Sequence, residues 1–142
     1  MEPFYDLQTY ACDSIGNVLD SKIEEAVNLF LEHVKMSQNK MKDELWMKAE
    51  SDLIKAAVYF LFETQSYDSA PINFLSVLNL MKNPDFKERL HAYEEQVKHD
   101  ERVSNCVLYF KTLEGISPKT EEGIIVEAIA ELQDFIEAQK SR

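Results

Sequence analysis

The sequence predicts an all-α fold, a single helical bundle of about five to seven helices around one central hydrophobic helix. The chain has 142 residues, the size of one ordinary domain, and 45% of them are hydrophobic. It contains only 3 glycines and 4 prolines, too few for a turn-rich β fold. No stretch of useful length alternates apolar and polar residues as a half-buried strand does. We therefore treat residues 1–142 as one domain.

Residues 43–64, DELWMKAESDLIKAAVYFLFET, are predicted to form the central helix. Within residues 53–62 only Lys55 interrupts the apolar and aromatic side chains, so other helices should surround this half. The run is shorter than the about 20 apolar residues that cross a bilayer. Trp46, the only tryptophan, is expected to anchor the core. One face carries apolar residues at three- and four-residue steps: Trp46, Ala49, Leu53, Ala56, Ala57, Phe60 and Leu61.

One helix is predicted before the central one. Residues 1–20 show no sustained period and are predicted to be an irregular lead-in. The segment 21–24, SKIE, has the pattern of a capping box, in which the Ser hydroxyl and the Glu carboxylate satisfy free backbone donors. The helix should end near Met36, and residues 36–42 should form a polar connection. Its predicted inner face consists of Ile23, Ala26, Val27, Phe30, Leu31 and Val34.

Two amphipathic helices are predicted after the central one. Asn73 can cap a short helix over residues 74–81, and the pair Asn83-Pro84 should stop it because proline disfavours helix in the residue before it. Residues 86–99 form the second helix. The predicted inward residues are Leu75, Leu78 and Met81 in the first helix, and Phe86, Leu90, Tyr93 and Val97 in the second.

A break at Asp100 and Glu101 should precede another helix, which ends near Leu113. The residues that mark this helix are Val103, Cys106, Val107 and Phe110. Gly115 fits the left-handed position that often follows a helix end. Ser117 and Pro118 then predict the cap and first turn of the last helix. The buried stripe of that helix should comprise Ile125, Ala128, Ile129, Leu132, Phe135 and Ile136.

The last helix also carries the most distinctive feature outside the core. Residues 120–139 contain six acids and no Lys or Arg. Glu127, Glu131 and Asp134 fall on one stripe, where like charges repel by a few tenths of a kcal/mol. Two interpretations stay open, a solvated face or a docking strip for a basic protein. These three residues are the candidate partner-binding residues.

The charge of the chain restricts its partners. A net charge of -11 repels phosphate, which disfavours broad binding to nucleic acid, although local basic residues such as Lys40, Lys42 and Lys48 are present. No basic amphipathic helix supports contact with a membrane surface. Cys12 and Cys106 lie 94 positions apart and the N-terminus lacks a targeting pattern, which favours reduced thiols in the cytoplasm.

The sequence shows no catalytic, cofactor-binding or metal-binding residues. It has no Gly-rich phosphate loop and no cysteine pair at zinc spacing. Glu88 and His91 match the Glu-x-x-His unit of di-iron bundles, but such sites need a second unit, which is missing from the sequence. We therefore expect a solvated helix face there, no cofactor and no enzymatic activity.

The order of the segments resembles the all-α domain of TraG/TraD-like coupling proteins of type IV secretion, especially those of Gram-positive and related mobile elements. In that family a Trp-x-Lys-Ala-Glu-like opening leads into a long apolar helix, and an Asn-Phe helix follows. A Phe-Lys turn and a Lys-Thr segment then lead into the last helix. The segment 2–4, EPF, also resembles the Pro-Phe segment that leaves the ATPase domain. The matching positions are Trp46, Lys48, Ala49, Glu50, Asn73, Phe74, Phe110, Lys111, Lys119 and Thr120.

The resemblance implies a substrate-recognition domain that engages a relaxase, an accessory protein or DNA during conjugative DNA transfer. It also implies a parent ATPase that is anchored at the membrane, with this chain as a cytoplasmic accessory domain that is either excised from the parent or naturally separate. The chain departs from the family at residues 114–118 and lacks its ATP-binding segments. By itself the domain should be a monomer. A free-standing helical adaptor or regulator that binds a basic partner is the main alternative, and a helical metal or redox enzyme is a weaker one.

Overall fold

The computed structural model describes residues 6–13, 18–38, 43–65 and 71–140, and these form an all-α bundle. Apart from an isolated bridge between Cys12 and Val18, no strand occurs in these four ranges. The predicted all-α fold of five to seven helices is confirmed. Its helices are α1 (Leu7–Ala11), α2 (Asp20–Gln38), α3 (Glu44–Thr64), α4 (Phe74–Lys82), α5 (Phe86–His99), α6 (Asn105–Lys111) and α7 (Pro118–Lys140).

Helix α3 is the centre of the bundle, as its apolar composition predicts. It contacts α2, α4, α6 and α7. Every residue from 52 to 61 is buried, including Ala56, Ala57 and Phe60. The Asp43 side chain caps the helix by accepting a 2.7 Å hydrogen bond from the Leu45 N–H. Trp46 lies only partly buried against the edge of the core.

Three phenylalanines fix the helices around this centre. The Phe30 ring of α2 lies 6.0 Å from the Phe74 ring of α4 and 5.4 Å from the Phe135 ring of α7, measured between centroids. Phe74 and Phe135 meet edge to face at 5.5 Å. Such pairs stabilise by about 0.5–1.5 kcal/mol beyond the burial of area, so this cluster holds α2, α4 and α7 in register.

The N-terminal predictions need two corrections. The lead-in is not irregular throughout, because α1 forms within it and donates a 2.8 Å hydrogen bond from the Leu7 N–H to the Ile72 carbonyl. The capping box at residues 21–24 is also wrong, since α2 already begins at Asp20. The Leu19 N–H bonds to the Ala11 carbonyl at 2.6 Å, and this contact fixes the helix start earlier than Ser21. Helix α2 then extends past Met36, while residues 39–42 lie outside the described part.

Two apolar residues of the predicted helical patterns, one predicted to face inward and one predicted to mark a helix, point to solvent instead. Leu75 is 45% exposed, because α4 turns its Phe74, Val77 and Met81 toward the core. Val103 is 93% exposed, because it precedes α6 in the extended connection. Helix α6 therefore starts later than its apolar pattern predicts.

The last helix keeps most of its predicted stripe. Ala128, Leu132, Phe135 and Ile136 are buried. Ile125 and Ile129 are only partly buried, and Ile124 is buried in addition.

Several cap and face predictions are confirmed. Asn73 and Ser76 form a capping box at the start of α4, and Asn83 is the residue that ends it. Helix α5 buries the four predicted residues, Phe86, Leu90, Tyr93 and Val97. The Ser117 hydroxyl accepts a 3.2 Å hydrogen bond from the Thr120 N–H at the start of α7.

A row of polar side chains runs along α3 toward α6, and we call Asp52, Lys55, Tyr59 and Glu63 the polar row. The Asp52 carboxylate accepts a 2.8 Å hydrogen bond from the Thr112 hydroxyl. Burial and a 2.5 Å hydrogen bond to Asp20 raise the pKa of Tyr59 far above its ordinary value. Through these hydrogen bonds the polar row joins α3 to Thr112, the residue after α6, and to Asp20 at the start of α2.

Glu63 joins α3 to both α5 and α6. Its Oε1 accepts hydrogen bonds from the Tyr93 hydroxyl at 2.7 Å and from the Ser104 hydroxyl at 2.5 Å. Its Oε2 accepts from the Cys106 N–H at 3.1 Å, within the first turn of α6. A carboxylate at a helix N-terminus is stabilising, so Glu63 fixes the position of α6 beside α5. None of the described helices is long and apolar enough to cross a membrane.

Candidate functional site

The three candidate partner-binding acids of α7 differ in their exposure. Glu127 is partly buried, and Glu131 is only 4% exposed. Asp134 is exposed, with its Oδ2 3.3 Å from the His33 Nε2. Because the middle residue faces inward between Ala128 and Phe135, the three do not form one continuous exposed strip. Partner binding through them stays a prediction.

A second group of acids surrounds a small cavity of about 140 Å³, which we call the acidic pocket. It lies between α5, the turn after α6 and the first turn of α7. Phe110, Leu113 and Ile116 provide its apolar part. The acids at the pocket are Glu94 of α5, Glu114 of the turn and Glu121 of α7, with His91 and Gly115 completing the lining.

The turn after α6 brings the lining together. Gly115 has a φ of 93°, a conformation that glycine adopts at little cost. The Ile116 N–H donates a 3.2 Å hydrogen bond to the Leu113 carbonyl, which closes the turn. Ser117 then caps α7, so Glu114 before the turn and Glu121 after it reach the same cavity.

The charges of the pocket are only partly balanced within the chain. The Lys87 Nζ lies 3.0 Å from the Glu121 Oε1, whose side chain is 13% exposed. Neither Glu94 nor Glu114 forms an ion pair or a side-chain hydrogen bond with any residue that the structure describes. The pocket therefore presents two carboxylates whose charge the described chain does not compensate.

The negative charge of Glu94 also acts on Cys106, a buried residue of the core. Burial, together with the negative charges of Glu63 and Glu94, raises the pKa of the Cys106 thiol to about 12. Cys106 is 1% exposed, so its thiol is an inert core group at neutral pH. Cys12, the other free cysteine, is only partly buried.

The pocket also has an aromatic surface. The His91 ring meets the Phe110 ring edge to face, with centroids 4.9 Å apart. Elsewhere in the described ranges four cations lie 5.2–5.6 Å from the centres of aromatic rings: Lys22 at Tyr10, Lys55 at Tyr109, Arg89 at Phe60 and Arg102 at Tyr93. No described residue places a cation over Phe110 in this way.

The donor groups of the pocket do not form a metal site. Across residues 6–13, 18–38, 43–65 and 71–140, no three His, Cys, Asp or Glu side chains have the arrangement of metal ligands. Glu88 and His91 both lie on the exposed surface of α5. The carboxylates can instead accept hydrogen bonds from a cationic group, and the apolar surface beside them can cover its apolar stem.

Sequence reasoning did not find this pocket. Glu121 is predicted only as an acid that suits the start of α7, and Glu94 and Glu114 have no distinctive spacing. The three acids are separated by 20 and 7 positions and meet only in the fold, where α5 packs against α6 and the turn at Gly115 leads into α7. The one local sequence feature that points to the pocket is the acid Glu114 directly before Gly115, the glycine of the turn.

Comparison of the chain with protein-family models, with curated proteins and with solved structures gave no match. The resemblance to the all-α domain of coupling proteins therefore stays a hypothesis from the sequence.

Proposed function

We propose that this chain is a protein-recognition domain that binds a basic partner, and that it is the substrate-recognition domain of a type IV secretion coupling protein in conjugative DNA transfer. The acidic pocket is the observation that carries the proposal. It combines an apolar surface with Glu94 and Glu114, whose charges no described residue compensates. Their carboxylates can therefore form ion pairs with Lys or Arg side chains of a partner protein.

The overall charge favours a protein over a nucleic acid as the ligand. A net charge of -11 disfavours approach to a phosphate backbone, which binds proteins mainly through Lys and Arg. The same charge increases the rate at which a basic protein encounters the domain. DNA contact by this domain alone is therefore expected to be weak.

The more specific part of the proposal rests on the sequence resemblance. It makes a relaxase or an accessory protein of the same mobile element the expected partner. ATP hydrolysis would belong to the parent protein, since this chain lacks nucleotide-binding motifs. Recognition, not catalysis, is then the role of the helical domain.

A free-standing helical adaptor or regulator is the alternative that the same pocket supports. Such a protein would also bind a basic segment, but without a role in DNA transfer. The genomic context separates the two proposals. ATPase motifs in the same reading frame favour the coupling protein, and their absence favours the adaptor.

Binding to purified partners tests the proposal. The domain is immobilised and titrated with the relaxase and the accessory proteins of the same element, with duplex DNA as the comparison. We expect saturable binding of a protein partner that weakens as salt rises, because the Debye length falls from about 10 Å at 0.1 M to about 3 Å at 1 M. Tight binding of bare DNA, or no binding of any of these proteins at low salt, would contradict the proposal.

A further inference from the structure

The size of the acidic pocket limits what it can hold. Its volume of about 140 Å³ is below the about 300–1,000 Å³ of ordinary small-molecule sites. A nucleotide or an organic cofactor would not fit. The end of one long side chain fits this volume.

The charge of the pocket limits the occupant further. Glu94, Glu114 and Glu121 contribute three carboxylates, and among the described residues Lys87 contributes the one ammonium group in ion-pair contact with them. An anionic or neutral polar group would lack a matching donor set here. A cation would donate hydrogen bonds to the carboxylates and would compensate the negative charge that Lys87 leaves.

The apolar part of the pocket favours a guanidinium group over an ammonium group. Phe110 and Leu113 are 6% and 3% exposed and lie beside the carboxylates. A planar guanidinium group is more weakly hydrated than an ammonium group and packs well against an aromatic face. The methylene stem of the same side chain would cover the apolar residues.

We infer that the acidic pocket binds one arginine side chain of the basic partner protein. Glu94 and Glu114 accept hydrogen bonds from the guanidinium group, and Phe110 packs against it. This inference rests on the proposed function and names the group that the domain recognises. Lys87 competes for the same site, because its ammonium group already neutralises Glu121 at 3.0 Å.

The probe for this inference is Nα-acetyl-arginine methylamide, titrated into the isotope-labelled chain and followed by nuclear magnetic resonance. We expect saturable shifts of the Gly115 and Ile116 amide signals, which belong to the pocket. The citrulline analogue has nearly the same shape without the charge and should cause no such shifts. The lysine analogue should bind more weakly than the arginine probe.

Two variants move the affinity in opposite directions. Glu94→Gln with Glu114→Gln should weaken binding of the arginine probe by about fivefold, as the loss of two charge contacts near the surface implies. Lys87→Gln should strengthen it by about two- to fivefold, because the competing cation is removed. Glu95→Gln is the matched control, since this exposed acid is adjacent to Glu94 but outside the pocket. A gain of affinity cannot result from misfolding.

Three results would overturn the inference. These are equal shifts with the citrulline analogue, unchanged affinity in the double variant, and weaker binding after Lys87→Gln. A partner protein that binds the wild type and the double variant equally well would reject the pocket but preserve the proposed function. Binding of the arginine probe without binding of any basic partner protein would reject the proposed function instead.

Discussion

The buried thiol of Cys106 makes the stability of the fold depend on pH. The folded chain raises its pKa to about 12, whereas an unfolded thiol titrates near about 8.5. The unfolded state therefore releases this proton first, and stability falls as pH rises between these two values. The contribution is at most about 1.4 kcal/mol per pH unit.

We predict that Cys106→Ala makes the free energy of unfolding less dependent on pH in this alkaline window. Urea unfolding of both proteins from about pH 7 to about pH 10 measures the difference in slope. The lost packing of the side chain shifts the whole curve, whereas the lost titration of the thiol changes its slope. Parallel curves for the two proteins would contradict the assigned environment of Cys106.

The two described glycines should respond oppositely to alanine. Gly115 has a φ of 93°, so Gly115→Ala should destabilise the protein by about 1 kcal/mol or more. Gly123 lies inside α7, and an added Cβ would meet the Trp46 Cη2 at 3.4 Å, an ordinary contact. Gly123→Ala should therefore stabilise by up to about 1 kcal/mol through helix propensity. Thermal unfolding measures both changes, and the reverse order of the two would contradict the described geometry.

At the scale of elements, Glu63 is the residue that connects α3, α5 and α6. Glu63→Ala removes an acceptor shared by Tyr93, Ser104 and the Cys106 N–H. We expect a loss of about 2–3 kcal/mol, since hydrogen bonds to charged groups contribute about 1.5–3 kcal/mol. Urea unfolding measures this loss, with Glu95→Ala as the control on exposed helix surface. A loss equal to that of the control would show that α6 is held in another way.

Helix α5 shows which elements the sequence can predict. Phe86, Leu90, Tyr93 and Val97 form one narrow apolar stripe, so the buried face follows from the spacing alone. The start of α2 was not predictable in the same way. The contact of Leu19 with Ala11 decides it, and this tertiary contact overrides the local capping pattern at Ser21.

The acidic pocket could not be predicted for a related reason. Its acids come from two helices and a turn, and only the packing of α5 against α6 brings them together. The candidate strip of Glu127, Glu131 and Asp134 comes from helical spacing alone. That spacing does not reveal that α7 turns Glu131 toward the core. Charge spacing on one helix thus says little about which acids a partner can reach.

At the scale of the whole molecule, the charge should keep the isolated domain monomeric. A net charge of -11 opposes self-association, because like surfaces repel. Light scattering coupled to size exclusion at physiological salt measures the mass, with 16.5 kDa expected for the monomer. A stable dimer or hexamer would contradict this expectation.

Recognition of a basic protein through the acidic pocket is the central claim, and one measurement tests it directly. The affinity of the basic partner protein that the proposal expects, a relaxase or an accessory protein, is measured for three forms of the chain. These forms are the wild type, Glu94→Gln with Glu114→Gln, and Glu127→Gln with Asp134→Asn. We predict that the pocket variant loses about fivefold or more in affinity. The α7 variant should mainly slow association at low salt. Equal affinity of the wild type and the pocket variant would contradict the claim.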